Sequence, residues 1–447
     1  MTNPSSNSIE LDISLSTIEV FGTLASQQLA ILLDSSDANH ENSRFDIMSI
    51  NPLCILEARD GQFYLDGEQV EQDGFTIMQD KLTGLDSRPH SDIPFTGGWL
   101  GYFGYDLGRY IEAMPKIAMQ DIALPDMIAG LYPDALIRDN LSNQWYFVTQ
   151  PGYNRLSTYL SLIEQGGRDD DTFTLTSRWQ ANMTQSEYAH KFASIHDYLK
   201  SGDCYQINLA QRFSADYHGS PWQAYKTLRA NNQAPFSAFI NLGEDAIVSV
   251  SPERFISVRD GQVETKPIKG TLPRIHDDKQ ADAQQATRLQ QSRKDRAENV
   301  MIVDLLRNDL GKVATPGSVQ VPKLFEIESF PAVHHLVSTV TAQLATGKTA
   351  VDQLKAAFPG GSITGAPKIR AMEIIEELEP HRRSAYCGSI GYLSACGAMD
   401  TSITIRTLVC HQQKIHCWAG GGIVADSDCE LEYQETYHKV NKILPVL

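Results

Sequence analysis

No two cysteines in this 447-residue chain stand at Cys-x-x-Cys spacing, and the total of seven is odd. Cys54, Cys204, Cys387, Cys396, Cys410, Cys417 and Cys429 lie scattered through apolar or mixed surroundings. That pattern excludes a disulfide scaffold and a thiolate metal site, and predicts reduced, mostly buried thiols. No apolar run approaches membrane-spanning length, and residues 1–11 carry neither an Arg-rich transit pattern nor an apolar signal core. A cytoplasmic protein without a membrane partner is the expectation. Basic charge is short: 38 Lys and Arg face 55 Asp and Glu, a net charge of -17. Nucleic acid is disfavoured as a partner, because phosphate binding needs a basic face. An anionic ligand would need a local cluster of cations. No His-x-x-x-His metal spacing, Gly-x-Ser-x-Gly elbow or cysteine–histidine glutaminase signature occurs.

What the chain does have is the composition of a globular protein, 42% hydrophobic and 21% charged. Early short runs (Phe45–Ile50, Cys54–Ala58, Gln62–Leu65) separated by Asp60-Gly61 and Asp66-Gly67 predict strands joined by hairpins. The glycines among aromatics in Gly97–Asp106 predict close backbone approach within a sheet. Tyr153–Asn182, with Glu164–Arg168 and the acidic run Asp169–Asp171, is the best boundary, giving an amino-terminal part over 1–180 and a second part over 181–447. Helical spacing of Tyr188, Phe192, Ile195 and Leu199 predicts a helix over Thr184–Ser201. Strands follow at Tyr205–Phe213, Phe236–Asn241, Ala246–Val250, Thr401–Val409 and Lys414–Ala419. A long helix is predicted within Gln280–Leu310 and a shorter one over Lys368–Leu378. Hairpins outnumber βαβ units, which points to an α+β fold: a large layered sandwich of mainly antiparallel sheets with helices outside.

Four acidic residues stand out late in the chain. Glu432 and Glu435, three apart, share a helix face, and Lys439 follows on the same face. A solvated face with one Glu–Lys pair would read the same way. Gly420-Gly421-Gly422 just before this helix allows close backbone approach to a ligand, and oxygen-only carboxylate ligands suit Mg²⁺. Gly360–Lys368 offers an anion site at a helix start, with Pro367 expected in the first turn, but it lacks Walker spacing. In Thr401–Arg406 strict alternation would put Ser402, Thr404 and Arg406 on one polar face, a possible carboxylate clamp or a surface arginine. Pro267 and Gly270 bracket Lys269 in a short turn. A desolvated amine there is a competent nucleophile, while an exposed lysine is the plain alternative.

Taken together, Gly97–Arg109, Ser251–Phe255, Arg296–Glu298, Asp304–Leu310, Gly360–Lys368, Tyr386–Gly388, Asp400–Thr407 and Gly420–Lys439 resemble the chorismate-utilising family. That family includes anthranilate synthase component I, aminodeoxychorismate synthase component I, isochorismate synthase and salicylate synthase. The resemblance implies an anthranilate synthase component I-like fold with two interleaved subdomains. It implies Mg²⁺ on Glu298 and Glu435 with Glu432 close by, and substrate carboxylates held by Arg406, Tyr386, Lys439 and the backbone of Gly420 and Gly422. His335 and Thr364 match pocket residues near the ring, and Glu253 matches the general acid at the C4 hydroxyl. Gln206 stands where isochorismate and salicylate synthases have a lysine base, which disfavours hydroxylation at C2. Lys269 stands where anthranilate synthases have a small residue and aminodeoxychorismate synthases have lysine. The implied activity is amination of chorismate at C4, with ammonia from glutamine through a separate glutaminase subunit; anthranilate synthesis is the alternative. The family also implies a tryptophan pocket near Ser36, Pro235 and Phe236.

Overall fold

A computed structural model describes residues 8–36, 42–90, 92–167, 172–329 and 333–447. The boundary residues 168–171, acidic run included, lie outside the described residues. Two large sheets dominate, of 13 and 12 strands among the described residues. Neighbouring strands run antiparallel, as in Gly98–Phe103 against Ser389–Ser394 and Phe236–Asn241 against Ala246–Ser251.

Each sheet draws strands from both sides of residue 180. In the first, Ser8–Leu11, Gln144–Thr149, Asp134–Asp139, Phe45–Ser49 and Ile31–Asp34 continue through Phe236–Asn241 and Ala246–Ser251 into the carboxyl-terminal strands. In the second, Gly98–Phe103 lies between Met127–Tyr132 and Ser389–Ser394 and pairs with both. The main core lies between the sheets. Alternation along Phe236–Asn241 shows how: Ala238 and Ile240 join Leu56, Leu100 and Tyr102 there. Phe239, on the opposite face, packs with Trp222, Tyr225 and Leu228 of an outer helix.

Local signals explain many element ends. Asp60, Gly61, Asp66 and Gly67 all have positive φ, the geometry of tight hairpin turns. A Cβ on Gly101 would sit 2.2 Å from the carbonyl oxygen of Ile128, so the glycine is required by close strand approach. Thr184 caps the helix Gln185–Ser201 with a reciprocal Glu187 capping box. All seven cysteines are free; five are buried and Cys396 and Cys429 half-buried. Among the described residues no helix is long and apolar enough to cross a membrane.

Several elements frame the site: β1 (Gln206–Gly219), β2 (Ile268–Pro273), α1 (Arg293–Gly311), β3 (Val333–Gln343), α2 (Lys368–Leu378), β4 (Met399–Ile403), β5 (Thr407–His411), β6 (Lys414–Ile423) and α3 (Cys429–Val440). The long helix expected within Gln280–Leu310 is α1, and a shorter helix, Lys279–Gln291, precedes it: Ser292 ends the first in an extended conformation and caps α1 by accepting from Asp295 N. Three expectations are corrected here. Pro367 precedes α2 as its capping residue instead of opening its first turn. Thr401–Val409 is two strands: β4 belongs to the second sheet and β5 to the first, so the chain crosses between sheets at 404–406. Lys269 lies inside β2, in a bulge, instead of in an isolated turn.

Candidate active site

That bulge is where the site begins. Ile268 pairs with Val337 of β3 but Thr271 pairs with His335, so β2 spends one extra residue over Lys269-Gly270. A bulge turns a side chain out of the ladder direction. Here it sends the Lys269 amine into a cavity of about 610 Å³.

The cavity lies between strands of both sheets, α1 and α3. Its wall includes Glu253, Lys269, Glu298, His335, Tyr386, Arg406, Gly420, Gly422, Glu432, Glu435 and Lys439. Eleven of the site residues drawn from the sequence thus meet around one space, though they come from widely separated segments. Gln206 and Thr364 do not line it. Both are fully buried. Thr364 donates its hydroxyl to Gly360 O at 3.1 Å, holding the glycine loop from behind. Gln206 lies behind the glycine strand: a Cβ on Gly422 would meet its Nε2 at 2.4 Å. His334 is spent outside the cavity, on Ser329 and Asp282.

Arg406 reaches the cavity by another route than strand alternation. The chain turns through positive φ at Arg406 as it crosses between sheets. Ser402 and Thr404 do not flank it as free hydroxyls; they donate to the carbonyls of Ile390 and Ala385. Among the described residues neither Arg406 nor Lys269 forms an ion pair. The Arg406 guanidinium is therefore available to an anionic ligand, which the acidic chain as a whole would not attract.

Burial shapes the acid and the amine in opposite senses. It pushes the Glu253 carboxyl up to about 7, although Lys269, the Ser362 hydroxyl and Lys439 pull the other way. The same burial lowers the Lys269 amine, helped by Lys439 and opposed by Glu298 and Glu253. A partly neutral acid beside an amine biased toward its neutral form is a pairing suited to proton donation and nucleophilic attack.

The opposite wall is carboxylate-rich. Glu432 and Glu435 project from the first turns of α3, whose cap Asp428 accepts from Leu431 N. Glu432 is buried and its Oε1 accepts from Ser427 Oγ at 2.7 Å, while Glu435 and Lys439 on the same helix face pair at 2.7 Å and stay half-exposed. A Cβ on Gly421 would sit 2.9 Å from Glu432 Oε2 and 3.5 Å from Glu435 Oε1. The bare glycine leaves a cradle onto which both carboxylates turn. Burial raises Glu432 and also Glu298, which feels the Glu432 charge. Burial also acts upward on Glu435, but Lys439 at 2.7 Å holds it below its ordinary value.

Among the described residues no three acidic, His or Cys side chains are spaced to close on an ion as they stand. The donor set nevertheless fits a hard divalent cation: oxygen ligands only, crowded, and costly to keep charged without one.

Other residues outside the sequence motifs complete the wall. Lys294 sits one turn before Glu298 on α1 and acts on Glu298, Glu432 and Glu435. The four-residue Lys–Glu spacing was the available sign. Trp418 shares a face of β6 with Gly420 and Gly422 and stacks parallel to Tyr386 at 6.1 Å. Thr271 Oγ1 lies 2.8 Å from His335 Nδ1.

A second cavity, of about 320 Å³, opens between the sheets and is lined by Leu33, Asp34, Ser35, Pro235 and Phe236, among others. Ser36 lies beside it without lining it; its hydroxyl donates to Ala234 O at 2.6 Å.

The chorismate binding enzyme family model matches residues 29–445. The chain belongs to the chorismate binding enzyme family. Within that family it is 54% identical to aminodeoxychorismate synthase component 1 of Escherichia coli strain K12, covering 96% of this chain and 95% of the relative. Identity to the protein of the same name from Klebsiella aerogenes is 56%, over 95% of each chain. Anthranilate synthase component I from Streptococcus pneumoniae TIGR4, a solved structure, superposes with a TM-score of 0.81 at 34% identity, covering 90% of this chain and 92% of that one. The chorismate binding fold is thus the anthranilate synthase component I-like fold, and sequence similarity leans to the aminodeoxychorismate synthases.

Proposed function

We propose that this enzyme aminates chorismate at C4, giving 4-amino-4-deoxychorismate and water, for p-aminobenzoate and folate synthesis in the cytoplasm. The observation that carries the reading is the Lys269 amine, presented by a bulge into the same cavity as the buried acid Glu253.

The ring carboxylate would lie toward Glu298, Glu432 and Glu435, which would hold Mg²⁺; that ion, when bound, supplies charge neutralisation for the carboxylate. Arg406, Lys439 and Tyr386 would receive the substrate's carboxylates, together with the backbone of Gly420 and Gly422. The neutral Lys269 amine bonds to C2, the two conjugated ring double bonds move from C1=C2 and C5=C6 to C6=C1 and C4=C5, and the C4–O bond breaks. Glu253 gives its proton to the departing hydroxyl, which leaves as water, and the carboxylate so formed takes the proton that the lysine nitrogen loses. Ammonia then bonds to C4, both double bonds shift back, the C2–N bond breaks, and the proton shed by the new C4 nitrogen passes to the departing lysine, returning the neutral amine. The adduct at C2 keeps ammonia from that carbon, so nitrogen is placed at C4 and no pyruvate is lost.

Free ammonium should suffice in vitro. The relatives are named component 1, and for this chain too we infer a second component: a separate glutaminase that releases ammonia from glutamine, with a separate lyase downstream. Incubating the protein with chorismate, Mg²⁺ and ammonium should yield 4-amino-4-deoxychorismate. Fluorescent anthranilate with equimolar pyruvate would instead make it an anthranilate synthase.

The second cavity favours one additional reading, a tryptophan site. Its apolar walls at Leu33, Pro235 and Phe236 would take an indole, while the Asp34 carboxylate beside them is already committed to Arg229 and Tyr225. Calorimetric titration with tryptophan tests it: saturable one-site heat supports the site, and flat heats refute it.

A further inference from the structure

One residue of the glycine loop touches both groups on which this mechanism rests. Ser362 Oγ lies 3.4 Å from Glu253 Oε1, and Ser362 O accepts from Lys269 Nζ at 3.4 Å. Both contacts are long, as catalytic hydrogen bonds often are before substrate closes a site. The loop behind them is held firmly. Arg383, only 1% exposed, donates to Ile363 O at 3.0 Å and to Asn208 O at 2.7 Å. Its charge is matched by Glu379, whose Oε1 also accepts from Ala210 N at 2.8 Å. Asn208 and Ala210 stand opposite Gly422 and Gly420 on β6. A single buried ion pair therefore ties the Ser362–Ile363 turn to β1, the strand paired with the glycine strand β6. Such a pair is weak support for stability, since apolar packing does that as well; its directed bonds fix geometry.

We propose that Ser362 is a positioning residue for C4 amination, holding the acid Glu253 through its hydroxyl and the amine of Lys269 through its carbonyl, on a mount fixed by Arg383. The inference deepens the reading given under Proposed function and rests on it. A neutral amine that donates one N–H to a fixed carbonyl has its lone pair directed away from that carbonyl, toward the cavity. A hydroxyl on Glu253 Oε1 leaves Oε2 to carry the transferable proton. It also favours the ionised carboxylate, and so holds the acid's titration below the value burial alone would give. The other groups that face Glu253 are Lys269, Lys439, Arg406, Cys387 and the backbone of Ile268. None is altered by removing the Ser362 hydroxyl.

Ser362→Ala is the test, read as kcat and KM for chorismate over pH 5.5–9 at fixed free ammonia. The expected result is kcat down about ten-fold with KM within about two-fold, and the alkaline limb moved up by about half a pH unit. Ser362→Thr should restore both, which a merely structural loss would not do. If the alanine variant fails to fold, Ser362→Cys, a weak donor of similar size, carries the same comparison. An unmoved limb and unchanged kcat in an enzyme that still makes 4-amino-4-deoxychorismate overturns the role of Ser362 alone. A wild-type protein that makes anthranilate overturns the underlying reading, and the role with it.

Discussion

Gly421 and Glu432 are placed so that one methyl group would divide them: a Cβ on the glycine falls 2.9 Å from the carboxylate oxygen Oε2. The atom in the way is the far end of a flexible side chain, so Gly421→Ala should fold and displace the carboxylate. We expect the Mg²⁺ concentration for half-maximal activity to rise at least about ten-fold, as for disturbed metal ligation generally. Melting temperature should change little. An unchanged Mg²⁺ requirement would remove Glu432 from the metal site.

The raised Glu253 carboxyl makes a prediction about pH. Protonated below about 7, it can donate to the leaving hydroxyl; deprotonated above, it cannot. At fixed free ammonia, kcat should therefore fall as pH rises through about 7. A profile flat from pH 6 to 9 would exclude Glu253 as the proton donor.

The same shift has a stability consequence of defined sign. A carboxyl whose folded value lies above its unfolded one contributes stability below the unfolded value, near 4.5, and loses it as pH rises through about 7. Glu253→Gln has no such loss. Its stability relative to wild type should improve by about 2 kcal/mol between pH 5 and pH 8, measured by urea unfolding, while activity collapses. A pH-independent difference would mean that Glu253 is not desolvated.

Arg406 separates side-chain chemistry from backbone strain. It turns through φ 51°, which glycine adopts freely and alanine does not. Arg406→Gly and Arg406→Ala should both raise KM for chorismate, by about 100-fold if the guanidinium clamps a carboxylate. The glycine variant should be the more stable of the two by about 1 kcal/mol. Equal stabilities would show that the crossing carries no strain there.

Much of this architecture is legible in the chain because it is local. Asp-Gly pairs mark hairpin turns, and Glu432, Glu435 and Lys439 share a face by spacing alone. What local pattern cannot supply is which sheet a strand joins. Ser402–Arg406 alternates polar and apolar residues as one strand would, yet the chain changes sheets at 404–406, and the polar face assigned to Ser402, Thr404 and Arg406 does not exist. The bulge at Lys269 is likewise set by register against His335 and Val337, not by β2 itself. Gln206 and Thr364 came from family resemblance, and the structure sets them behind the wall they help to shape. The role of Ser362 is not legible in the chain because a serine in a glycine-rich loop carries no spacing signal; only the fold brings it beside Glu253 and Lys269.

The covalent step through Lys269 is tested most directly by intact-protein mass spectrometry. Enzyme with chorismate and Mg²⁺, without ammonia, is acid-quenched within the first turnover. The expected result is a mass increase equal to chorismate less one water, mapped by peptide digestion to Lys269, discharged on adding ammonium and absent in Lys269→Ala. Wild-type enzyme that turns chorismate over to the aminated product without ever carrying that mass would contradict nucleophilic catalysis by Lys269.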